Sequence, residues 1–85
     1  MIKLNVIRQI NAISTSVEVF KTNVDNQQLA HRIITDLNQL YSDYRINFDL
    51  EDCDKILRIE SHNAIDILGI INYGKYKNIE IEIIN

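Results

Sequence analysis

The chain contains no proline and no tryptophan, only two glycines (Gly69 and Gly74), one methionine and one cysteine. Each shortage excludes something. Without proline, and with glycine so scarce, collagen-like repeats and long flexible linkers are ruled out, and a disordered chain is not expected. A single cysteine, Cys53, cannot close an internal disulfide, and no Cys/His cluster has the spacing of a structural zinc site. A reducing cytoplasm is therefore the expected location. No apolar run approaches the roughly 18 residues a membrane-crossing helix needs. The first fourteen residues, MIKLNVIRQINAIS, lack the continuous apolar core of roughly 7–15 residues that marks a signal peptide. Nine basic residues against twelve acidic ones give a net charge of −3, with the two signs interspersed. Nucleic acid selects for a basic stripe, so no nucleic-acid partner is expected, and no membrane partner either.

What is present is an apolar fraction of 46% in 85 residues, dominated by isoleucine. A chain of this size forms one domain and buries roughly 60–65% of its unfolded surface. The clearest organising stretch is INFDLEDCDKILRIES, residues 46–61. Two alternating apolar runs flank an acidic turn, the pattern of a β-hairpin. Ile46, Phe48 and Leu50 fall on one strand face, and Leu57 and Ile59 on the matching face of the next strand. Asp49 or Glu51 would then lie across from Arg58.

Residues 1–16 read as an extension of uncertain structure: Ile2, Leu4 and Val6 alternate as in a strand, whereas Ile7, Ile10 and Ile13 would suit a helix face. Residues 17–85 form the domain. Residues 17–24, VEVFKTNV, read as a strand from their β-branched and aromatic content. Val17 and Val19 share one face and Phe20 takes the other, so both faces are apolar and a central position follows. Residues 25–42 read as a helix. Asp25 stands as N-cap with Gln28 three residues on, a capping-box spacing. Leu29, Ile33 and Leu37 form its apolar stripe, widened by Ala30, Ile34, Leu40 and Tyr41. Residues 63–73 read as a second helix capped by Asn63, with Ala64, Ile67, Leu68 and Ile71 facing the core and Ile65 and Ile70 widening that stripe. Gly74 suits the position just past its end. Residues 78–84 alternate as a final strand, with Ile79, Ile81 and Ile83 inward.

Strand, helix, strand, strand, helix, strand is the ferredoxin-like α+β arrangement: a four-stranded antiparallel sheet with both helices on one face. The first and third strands should be central. The other face is left open, and Phe20, Ile56 and Ile84 are its candidate interface residues.

From residue 17 to residue 84 this layout resembles the heavy-metal-associated domain of copper chaperones and metal-transporting ATPases. The likeness rests on element lengths, on the LAHRIITDL spacing, and on Gly74-Lys75-Tyr76 before the last strand. FKTNV and FDLEDCDKILR are also similar to a group of short bacterial proteins with this fold. The resemblance implies the fold. It does not carry the metal function, because the family's Met-x-Cys-x-x-Cys falls on residues 24–29, with Asn26 and Leu29 in place of the two thiolates. An amide and a leucine cannot replace the soft sulfur ligands Cu(I) needs.

Candidate chemistry is sparse. Cys53, with Glu51, Asp52 and Asp54 around it, is a candidate binding cluster, but the flanking carboxylates disfavour a nucleophilic thiolate. The same turn lacks the glycine and the terminal glutamate of a calcium-binding EF-hand loop. His31 and His62 are far apart, and no nucleophile–base–orienter set can be assembled. Gly69 and Gly74 do not form a phosphate-binding loop. The third strand lacks the aromatic platform of RNA-binding domains that share this topology. The expectation is a non-enzymatic module without cofactor that binds another protein or a second copy of itself, through its open sheet face or an edge strand. The alternative is a metal or small-ligand carrier using Cys53.

Overall fold

A computed structural model describes residues 15–84. The elements run β1 (Ser16–Thr22), α1 (Gln27–Leu40), β2 (Arg45–Asp49), β3 (Ile56–Ser61), α2 (Ile67–Lys77) and β4 (Ile81–Ile83). The four strands form one sheet in the order β2-β3-β1-β4, and every neighbouring pair is antiparallel. This is the ferredoxin-like βαββαβ fold, with β1 and β3 central as the sequence requires. The expected extension over residues 1–16 lies outside the described residues except for Thr15 and Ser16, and β1 starts at Ser16.

Register explains which residues reach the core. Phe20 stands opposite Leu57 on β3 and opposite Ile83 on β4, and Ile46 stands opposite Ile59. These side chains share the face covered by the helices. Phe20, Val24, Ile33, Leu37, Leu57, Ile59 and Ile70 are fully buried. Each such side chain contributes on the order of 1.5–3 kcal/mol by leaving water. Phe20 therefore does not belong to the open face where its parity had placed it. It is a core residue, and Val17 and Val19 are the ones turned outward. With apolar groups on both faces, β1 alone does not say which side the helices take.

The helix ends also differ from expectation. The N-cap of α1 is Asn26, whose side-chain oxygen accepts from the Leu29 N–H at 2.8 Å. Asp25 lies one residue too early, so no Asp25–Gln28 capping box forms. The N-cap of α2 is Asp66, not Asn63. Its C-cap is Asn78, in the left-handed region at φ 63°, while Gly74 lies inside the helix. Gly74 is buried for a packing reason: a β-carbon there would come within 2.9 Å of the Ile79 carbonyl. The core face of α2 is centred on Ile70, expected only at the margin of the stripe, and Ile67 packs against the core as expected. Ile70 is fully buried, Leu68 is 71% exposed, and Ala64 precedes the helix. In the hairpin Arg58 stands opposite Asn47, and Asp49 opposite Ile56. The ion-pair partner of Arg58 is Glu60 on its own strand rather than Asp49 or Glu51.

Candidate functional site

The hairpin turn between β2 and β3 is built by local polar contacts. The Asp54 N–H donates to Asp52 Oδ1 at 2.8 Å, the Glu51 N–H to Asp49 Oδ1 at 3.2 Å, and the Lys55 N–H to the Asp52 carbonyl at 3.0 Å. These are turns in which Asp side chains bond the main chain two residues on. Lys55 closes the turn at φ 47°, and its ammonium group donates to the Leu50 carbonyl at 3.0 Å. Buried Thr22, at the end of β1, fastens the turn to the sheet. Its N–H donates to the Asp54 carbonyl at 3.0 Å and its hydroxyl to the Lys55 carbonyl at 2.7 Å. That hydroxyl also accepts from the Val24 N–H at 3.1 Å.

This turn holds the expected candidate cluster. Cys53 is exposed, and one donor atom from each of Asp52, Cys53 and Asp54 lies within 4.8 Å of the others. Glu51 is exposed and lies outside that group. Asp52 already spends one carboxylate oxygen on the turn.

The other end of the sheet carries a denser polar network that no motif announced. The rings of Tyr41 and Tyr44 stack with centroids 4.5 Å apart and planes 5° from parallel. The Tyr41 hydroxyl donates to Asp66 Oδ2 at 2.8 Å, and the Asp66 N–H donates to the Tyr44 hydroxyl at 2.8 Å. Asp66 Oδ1 accepts from the Gly69 N–H at 3.0 Å, capping α2. A β-carbon at position 69 would come within 2.3 Å of both the Tyr41 hydroxyl and Asp66 Oδ2, so any other residue there has to push this hydrogen-bonded pair aside. Burial, then the bond to Asp66, pushes the Tyr41 phenol up to about 12. The Tyr41 hydroxyl and the Gly69 N–H hold the Asp66 carboxyl below the usual carboxylate range. Next to this network, Asp43 accepts from Asn63 Nδ2 at 2.9 Å and from Ser61 Oγ at 3.3 Å. The Asn63 bond leads in lowering its carboxyl, and the nearby His62 adds to the effect. Asp43, Ser61 and His62 line a cleft of about 60 Å³, room for a water or two. The Ser61 hydroxyl is committed to Asp43 and to the Asn63 N–H, so it is placed as a loop brace and not as a nucleophile. His31 stands exposed on α1, and His62 stands exposed in the segment after β3.

A groove of about 680 Å³ runs along β4 and the end of α2. Lys21 and Lys75 face it with Glu80 and Glu82, over an apolar floor of Ile71, Ile79 and Ile81. Both signs of charge meet there, so it presents no single field to a charged ligand.

The sheet face opposite the helices is the remaining candidate surface. Register puts Val17 and Val19 of β1 on it, with Ile56 of β3 and Ile84 just past β4. Val17 is 43% exposed and Ile84 40%. Around them stand Arg45, Asn47 and Asp49 of β2, Arg58 and Glu60 of β3, and Lys21 and Glu82. Two of the three residues expected here, Ile56 and Ile84, lie on this face, and the third, Phe20, is in the core. At the position of the heavy-metal-associated motif, Asn26 caps α1 and Leu29 packs against the core. The chain matches no family model, no curated protein and no solved structure.

Proposed function

We propose that the protein is a small non-enzymatic binding module of the cytoplasm that works by self-association, through sheet surfaces its helices leave uncovered. One observation carries this reading. The helix-free face combines an apolar strip of Val17, Val19, Ile56 and Ile84 with charges of both signs around it. A surface that mixes apolar groups with both charges suits a copy of itself better than a strongly charged partner. No cofactor enters this function, and neither nucleic acid nor a membrane is its partner. The test is light scattering on the intact chain and on Val17→Lys. The parent should gain mass with concentration, and a variant that gains less would place the contact on the open face. Equal masses throughout would remove the open face from the account.

A second reading rests on the grouping of Asp52, Cys53 and Asp54. It makes the protein a metal or small-ligand carrier through Cys53, in place of the thiolate pair whose positions Asn26 and Leu29 occupy. Titration with Zn²⁺ and Cu(I), alongside Cys53→Ser, tests it. Binding that is absent, or unchanged by the substitution, would discard it.

A further inference from the structure

We infer that the outer edge of β2 is the self-association site, pairing antiparallel with β2 of a second copy about a two-fold axis through Asn47. This rests on the self-association reading and names its surface. The main-chain groups free at that edge follow from the bonding pattern of the sheet. The Ile84 N–H donates to the Val19 carbonyl at 2.9 Å, so the odd residues of β1 bond toward β4 and the even ones toward β3. Carried across the registers, Leu57 and Ile59 bond toward β1, and Arg58 and Glu60 toward β2. Arg45, Asn47 and Asp49 therefore bond inward, and the N–H and C=O groups of Ile46 and Phe48 point out from the edge. The carbonyls on either side are already taken: Asn38 Nδ2 donates to Tyr44 at 3.0 Å, and Lys55 Nζ to Leu50 at 3.0 Å. What the edge offers is two residues' worth of main-chain groups between two capped carbonyls.

The sequence of β2, Arg-Ile-Asn-Phe-Asp, matches itself when reversed. With Asn47 on the axis, Ile46 of each copy meets Phe48 of the other, and the outward groups of both exchange four hydrogen bonds. On the open face Arg45 meets Asp49 of the second copy, twice. Arg45 and Asp49 are both exposed, and Asp49 has one carboxylate oxygen free of the turn. Cross-strand pairs of opposite charge favour a register, and like charges oppose it. The other edge fails this test. There Glu82 sits at the centre of the three-residue β4, and pairing about it would set Glu82 against Glu82. Joined at β2, two sheets of four become one of eight, with both open faces on the same side. The contact is small, so the association is weak.

The experiment uses the full chain carrying Cys53→Ser. Asn47→Cys should form an intermolecular disulfide under mild oxidation, since side chains facing across the axis stand roughly 4.5–5.5 Å apart at Cβ. Glu82→Cys should not. In sedimentation, Arg45→Asp should weaken the dimer about tenfold or more, and adding Asp49→Arg should restore it to within about threefold. A dimer that ignores the charge reversals and leaves Asn47→Cys uncross-linked overturns the β2 pairing, while self-association stands on another surface. A parent chain that stays monomeric overturns both. Should Arg45→Asp fail to fold, the cross-linking alone decides.

Discussion

Neighbouring residues on one strand, Val19 and Phe20, have opposite fates. Phe20 is fully buried between the sheet and the helices, and Val19 faces away from them. The covered face is mainly apolar and closed, its buried Thr22 and Ser61 hydrogen-bonded, whereas the open face mixes valine and isoleucine with arginine, lysine and glutamate. The contrast assigns different work to the two faces. Contacts on the covered side hold the fold, and those on the open side are available to another molecule. Mutation should therefore separate stability from association.

The largest effect should come from the covered side. Phe20→Ala should cost about 3–5 kcal/mol in urea unfolding, from lost burial plus the cavity left behind. A cost below about 1 kcal/mol would mean that Phe20 is not the core residue described. Gly69→Ala should come next. Its β-carbon collides with the Tyr41 hydroxyl and with Asp66, so it should cost about 1–3 kcal/mol despite the higher helix propensity of alanine. A stabilised variant would contradict that packing.

The Tyr41–Asp66 contact contributes to the pH dependence, beside Asp43 on the acid side and Tyr73, raised by burial and its bond to Asp36, on the alkaline side. The Asp66 carboxyl is lowered in the folded state, so its contribution is present above its unfolded pKa of roughly 4 and lost as pH falls through the folded value. Tyr41 is raised to about 12, so its contribution is present below roughly 10 and lost as pH climbs toward the folded value. The melting temperature should fall at both extremes, and Tyr41→Phe should flatten the alkaline arm. An unchanged alkaline arm would show that the phenol does not carry it. The smallest effect on stability should be Val17→Lys, within about 0.5 kcal/mol, because the side chain is already 43% exposed. That variant sharpens the comparison, since it should weaken an association through the open face and leave one through the outer edge of β2 unchanged.

Much of the fold was legible in the sequence, and the misses have physical causes. Leu29, Ile33 and Leu37 mark one helix face, and Leu57 and Ile59 alternate cleanly, so element order and sheet order follow. The facing of β1 was not legible, because Val17, Val19 and Phe20 make both of its sides apolar. The face of α2 was hidden by its isoleucine content: Ile67, Ile70 and Ile71, with Ile65 just before the helix, leave no single stripe. Gly74 looked like a helix end because glycine favours that position, whereas here it makes room for Ile79 and Ile81. The Tyr41–Asp66–Gly69 contact joins residues up to 28 positions apart and leaves no local signature. The acidic turn around Cys53 drew attention by composition, but its aspartates are occupied largely with shaping the turn.

The most direct test of the central claim is sedimentation velocity on the unaltered chain, from about 10 to about 500 μM at neutral pH, the range in which small interfaces associate. The account predicts a single boundary whose sedimentation coefficient rises with concentration toward that of a dimer. A coefficient fixed at the monomer value across the whole range would contradict it.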